Sequence, residues 1–162
     1  MSRIRFPALC AVAIAAAAVF PAAAQSQFEL SAGASWTRDN EVTPVIAAAW
    51  LPELRGLDNA LLRWELGVIH VPGRDDTAYD LEDDVTVGHA GLRYDRTDNG
   101  LTLGFGIGVQ SGHTDALSDD PQFVSTIGWR WERFSVLARH ISNASIHQPN
   151  DGETMVVAAW RF

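Results

Sequence analysis

The chain has 162 residues, 20 acidic against 12 basic, a net charge of −8, and 47% hydrophobic residues. That length suits one domain, the composition is too apolar for a disordered chain, and the acidic balance argues against a nucleic-acid partner. The single cysteine, Cys10, lies in an N-terminal apolar run, so a disulfide framework is excluded.

Arg3 and Arg5 precede an apolar run from Ala8 to Phe20, and Ala22-Ala23-Ala24 forms an A-x-A site before Gln25. This is the layout of a secretory signal, so residues 1–24 are expected to be removed. The run is too short, and too closely bracketed by Pro7 and Pro21, for a spanning helix. Cys10 leaves with it, and with it any thiol nucleophile or thiolate metal site; the charge of residues 25–162 is then −10.

Beyond Gln25 the apolar residues recur with the strand period of two. Phe28, Leu30, Ala32, Ala34 and Trp36 alternate with Glu29, Ser31, Gly33 and Ser35; Leu62, Trp64, Leu66 and Val68 alternate with Arg63, Glu65 and Gly67. Leu101, Leu103, Phe105, Ile107 and Val109 alternate with a face that is nearly all glycine. A polar face of tiny residues and a few opposite charges suits the crowded lumen of a narrow barrel. Eight strands are expected, at 27–36, 42–51, 60–70, 85–94, 101–110, 123–131, 134–142 and 153–162, each long enough to cross hydrocarbon when tilted.

The connections alternate between mostly long, polar ones, such as 71–84 and 111–122, and short ones, such as Glu132-Arg133. Long loops outside and short turns on the periplasmic side form the bacterial outer-membrane pattern, which puts both termini in the periplasm. Phe28, Trp50, Tyr94, Trp131, Phe134, Trp160 and Phe162 all fall at expected periplasmic strand ends, as an interfacial girdle would. The fold expected is therefore all-β: an eight-stranded antiparallel transmembrane β-barrel over residues 25–162, closed because an open edge cannot be satisfied in lipid. A barrel this narrow is filled by side chains. Glu29, Arg63, Glu65, Arg93, Arg130 and Arg139 are expected to pair inside, which leaves loops and the outer wall for function.

The stretch from Arg139 to Glu153, RHISNASIHQPNDGE, carries the chemistry. If Phe134, Val136 and Ala138 face lipid, His140 and Ser142 do too. Residues two apart on a strand lie about 6.6 Å apart on one face, within reach of a leaning imidazole. Polar groups on a lipid face are costly and commonly mark function. With the other face outward, both residues would be lumen filler, and periodicity alone does not separate the two readings.

His140, Ser142, Asn143 and Ala144, then Pro149, Asn150 and Gly152 before a last strand, resemble the motif of the PagL family of lipid A 3-O-deacylases. The resemblance implies an outer-membrane esterase that hydrolyses the 3-O-linked acyl chain of lipid A without a cofactor or metal. It implies Ser142 as nucleophile, His140 as general base and Glu153 as the acid that orients it, with Asn143 and Asn150 shaping the oxyanion site. The partners implied are lipid A or lipopolysaccharide as substrate and the outer membrane as setting, with a homodimer left open. A serine hydroxyl is a weak nucleophile until an adjacent base takes its proton, and the base in turn needs a partner to hold its tautomer.

Counting back from Phe162 through Trp160, Ala158 and Val156 puts Thr154 on the lipid face and Glu153 in the lumen. A β-bulge at the start of the last strand, or a place for Glu153 in the loop, would bring the acid round; otherwise Asp151 is the substitute, or there is no efficient acid. His70, His89, His113 and His147 are too scattered for a metal site. The acidic loop Asp75, Asp76, Asp80, Glu82, Asp83 and Asp84 could hold a divalent cation bridging lipopolysaccharide phosphates, but reads better as a solvated one. A non-catalytic barrel with adhesive or structural loops and an outer-membrane phospholipase are the alternative functions.

Overall fold

The computed structural model describes residues 26–38, 42–75 and 80–162; the expected signal segment 1–24 and Asp76 lie outside them. Eight strands follow one another in chain order: β1 Ser26–Trp36, β2 Val42–Leu57, β3 Ala60–Val71, β4 Val85–Arg96, β5 Leu101–Ser111, β6 Gln122–Trp131, β7 Phe134–Ser142 and β8 Glu153–Arg161. Each pairs antiparallel with its neighbours, and β1 pairs with β8 to close a barrel. Closure leaves no unpaired edge. The expected strands are all present. The largest departure is β2, whose pairing with β3 runs past a register shift between Glu53 and Arg55 and ends at the tight turn after Leu57.

Alternation sorts the two faces as expected. Phe28, Leu30, Phe105, Ile107, Val109 and Ile127 are outward and exposed. The aromatics at the short-turn end also point outward: Phe28 stands opposite Trp50 and Phe134 opposite Trp160, and the rings of Trp131 and Phe134 stack with centroids 6.1 Å apart. On an apolar wall they form a girdle at one rim.

The lumen has two layers. Toward the short-turn end it holds a charge network: Arg93 Nε donates to Glu65 Oε2 at 2.9 Å, Arg161 Nε to Glu29 Oε2 at 2.7 Å, and Arg161 Nη1 to Asp95 Oδ2 at 2.6 Å. Arg139 completes it, 3.5 Å from Glu65. Buried charges must be paired in this way or the desolvation cost is left standing. Gly104 shows why β5 offers glycines here, since a Cβ at that position would lie 3.1 Å from Arg93 Nε and 3.3 Å from Glu65 Oε2. Of the six expected lumen charges, five are buried; Arg130 is only half-buried and donates to the Glu132 carbonyl in the turn.

Toward the long-loop end the lumen is mainly apolar, around a buried Glu153. Val45, Ile69, Val87, Leu137, Ile141, Met155 and Val157 point inward and are capped by Leu81, Ala116 and Leu117 from the loops. This plug excludes an open channel and gives the long loops a floor to rest on. The loop after β7 lies against that floor.

Candidate active site

On β7, Phe134, Val136, Ala138 and His140 are exposed, while Ser135, Leu137, Arg139 and Ile141 are buried. His140 therefore faces outward, and Ser142, two residues on along the same face, is half-buried at the strand's loop end. Of the two sequence readings, the outward one holds. The apolar plug needs Leu137 and Ile141 inside, and that fixes the face of the strand.

The chain turns sharply after Ser142. Ala144 and Ser145 both sit in the left-handed region, at φ 54° and 62°, a conformation that costs about 1–2 kcal/mol per residue for side chains with a Cβ. Asn143 is fully buried; its Nδ2 donates to Ser118 Oγ at 3.2 Å and its backbone N–H to Asn150 Oδ1 at 3.2 Å. The backbone N–H of Gly152 donates to the Ala116 carbonyl at 3.0 Å, so loop 143–152 rests on loop 112–121. Strain of this kind persists only where surrounding contacts over-determine it. The two asparagines expected to shape the oxyanion site pin this loop. Because Asn150 accepts through Oδ1, its amide nitrogen remains as a donor.

His140 is seated on two sides. Its Nδ1 lies 2.9 Å from Thr154 Oγ1, directly across the strand pair. Gly152, at φ 72°, lies beside the ring: a Cβ there would come within 2.8 Å of His140 Cε1 and 3.1 Å of Nε2. Glycine answers both demands, the left-handed backbone and the space for the imidazole. Ser142 Oγ accepts the Ala144 N–H at 3.4 Å. His140 Nε2 and Ser142 Oγ share a face without being hydrogen-bonded to each other, and catalytic contacts in unliganded enzymes are commonly loose in this way.

Glu153 is placed differently from its expected role. It is 2% exposed and points into the lumen, where Ser35 Oγ donates to Oε2 at 2.5 Å and Arg74 Nη2 to Oε1 at 2.8 Å. The bulge that would bring it round is not there: β7 and β8 pair without interruption, Ile141 opposite Glu153 and His140 opposite Thr154. Face parity gives the hydrogen bond to His140 to Thr154, and Glu153 reaches the imidazole through its charge and not through a hydrogen bond. Asp151 does not take its place among the contacts of the imidazole; its backbone N–H reaches the Asp115 carbonyl at 3.4 Å. The count along β8 put Thr154 on the outer face but gave it no role. Ser35, Arg74 and Ser118, which hold Glu153 and Asn143, leave no signal in the sequence because they come from distant strands and loops.

A family model described as lipid A 3-O-deacylase (PagL) matches residues 62–162. Among solved structures, the outer membrane enzyme PagL superposes with a TM-score of 0.55 at 18% identity, covering 83% of this chain and 98% of that one. Ail, the attachment invasion locus protein of Yersinia pestis, solved with the heparin analogue sucrose octasulfate, superposes with a TM-score of 0.52 at 11% identity, covering 86% and 99%. At these identities the two superpositions speak for the barrel. No curated protein sequence matches.

Proposed function

This chain belongs to the lipid A 3-O-deacylase (PagL) family and is an ester hydrolase of the bacterial outer membrane, and we propose that a serine–histidine pair on its lipid-facing wall cleaves the 3-O-linked acyl chain of lipid A. The observation that carries this reading is the shared outward face of His140 and Ser142 at the long-loop end of β7, with the imidazole already held through Nδ1. Lipid A lies in the outer leaflet, so a site on the outer wall meets the ester where it lies. Residues 1–24 act in this reading as the cleaved export signal.

His140 Nε2 takes the Ser142 Oγ proton as Oγ adds to the ester carbonyl carbon, giving a tetrahedral intermediate with an oxyanion. The amide nitrogen of Asn150, left free by the commitment of its oxygen to Asn143, is the proposed donor to that oxyanion; such a donor typically contributes about 2.7–4 kcal/mol. The intermediate collapses with cleavage of the bond to the sugar oxygen. His140 returns the proton to that oxygen, and the acyl chain stays on Ser142. Water, deprotonated by the same imidazole, then releases the fatty acid and restores the serine.

The test is the lipid A mass spectrum of a host without another deacylase. Expression of the chain should remove one ester-linked acyl chain, and Ser142→Ala and His140→Ala should leave lipid A intact while the barrel still folds. Loss of acyl chains from phospholipids with lipid A untouched would instead make the enzyme a phospholipase, and unaltered deacylation by Ser142→Ala would refute the mechanism.

A further inference from the structure

We infer that Thr154, and not an acidic residue, is the positioning residue of His140, so that this site works as a serine–histidine–threonine arrangement. The inference rests on the proposed serine–histidine pair and names its third member. Four observations on β7 and β8 carry it. The pairing puts His140 and Thr154 directly opposite each other with no bulge between them. Thr154 Oγ1 lies 2.9 Å from Nδ1, at hydrogen-bond distance. Gly152 closes the other side of the imidazole, leaving the ring little freedom to turn away from Thr154. Glu153 lies on the opposite face of the strand, its two carboxylate oxygens engaged by Ser35 and Arg74.

The chemistry fixes where the proton sits. A base at Nε2 needs its lone pair there, so the proton of the neutral ring sits on Nδ1 and donates to Thr154 Oγ1 as acceptor. Thr154 thus holds the ring plane, its hydroxyl accepting from Nδ1–H in the tautomer that the base requires. A hydroxyl brings no negative charge to the imidazolium that forms in the transition state, which a carboxylate would. The ring feels the charge of Glu153 from across the strand, and a carboxylate at position 154 should add one at hydrogen-bond distance. Glu153 supplies order to the mouth of the lumen, tying β8 to Ser35 of β1 and to Arg74 of the loop after β3.

The experiment compares purified, refolded barrels on lipid A in detergent micelles, with folding checked by the shift in electrophoretic mobility on heating. Thr154→Val keeps the side-chain shape and removes the acceptor. It should lower kcat about 10- to 100-fold, the cost of removing the hydrogen-bonded partner that orients a metal-bound histidine, with KM within about 2-fold, as for an interaction made only in the transition state. Thr154→Ser should restore most of kcat, and Thr154→Glu should exceed the parent. Glu153→Gln should cost less in kcat than Thr154→Val. A Thr154→Val barrel as fast as the parent, a Thr154→Ser barrel no better than Thr154→Val, or a greater kcat loss in Glu153→Gln would overturn the assignment of Thr154. Activity surviving in Ser142→Ala would overturn the serine–histidine pair itself instead, so the two failures are distinguishable.

Discussion

Among the described residues, the outer wall carries two histidine–threonine pairs of nearly the same geometry. On β3 and β4, His70 Nδ1 lies 3.0 Å from Thr86 Oγ1, its direct cross-strand neighbour. On β7 and β8, His140 Nδ1 lies 2.9 Å from Thr154 Oγ1, again directly across. Both pairs stand at the long-loop end, where strands meet the headgroup region. They differ in the residues that come after the histidine. After His70 the chain runs Val71-Pro72, and the position two residues on has no hydroxyl; after His140 it runs Ile141-Ser142 and enters a left-handed turn pinned by Asn143 and Asn150. A His–Thr rung is thus a way of satisfying an imidazole near the membrane surface, and in the proposed mechanism the same rung joins a reaction centre where a serine shares its face.

Mutations of the two pairs should separate sharply. His140→Ala and Ser142→Ala should each reduce lipid A deacylation by about 10³-fold or more, since members of such a unit fail together, whereas His70→Ala should leave turnover within about 2-fold; both are read from fatty-acid release by refolded barrels. Asn150→Ala removes the proposed oxyanion donor and the acceptor of the Asn143 N–H, and should cost about 10²-fold in kcat, together with a fall in the unfolding temperature. Gly152→Ala puts a Cβ against the imidazole and strains a left-handed residue. Displacement of a reacting group by about 1 Å can cost up to about 10²-fold, so a loss of about 10-fold or more is expected, where Gly88→Ala, at an open position on β4, should lose almost nothing. The smallest effect expected is from Thr86→Val, with activity unchanged. A loss there comparable to that of Thr154→Val would mean that the two rungs act on stability alike and that the contrast between them is illusory.

Much of the barrel was legible because its physics is local. A period of two, alternating loop lengths and aromatics at one rim place eight strands; counted back from Phe162 the period put Thr154 outside and Glu153 inside, while for His140 and Ser142 it left both faces open. The family motif pulled the other way for Glu153, and in the structure parity prevailed because β7 and β8 pair without a bulge. What stayed hidden was long-range. The apolar plug of Leu81, Ala116 and Leu117, the engagement of Glu153 by Arg74 and Ser35, and the Asn143–Ser118 contact join residues far apart in the chain, and periodicity carries no information about such pairs. Asp95 and Arg161 entered the charge network from outside the expected set: Asp95 lies just past the expected strand 85–94, and Arg161, which the count from Phe162 puts inside, finds its partners on distant strands.

Ser142 as a nucleophile activated by His140 on the outer wall is the central claim. It is tested most directly by treating the refolded barrel in detergent with a serine-reactive fluorophosphonate and mapping the adduct by mass spectrometry of the tryptic peptides. The expected result is one modified peptide, beginning at His140, with the adduct on Ser142, and its disappearance in His140→Ala. An adduct on another residue, or equal labelling of Ser142 when His140 is gone, would contradict the claim.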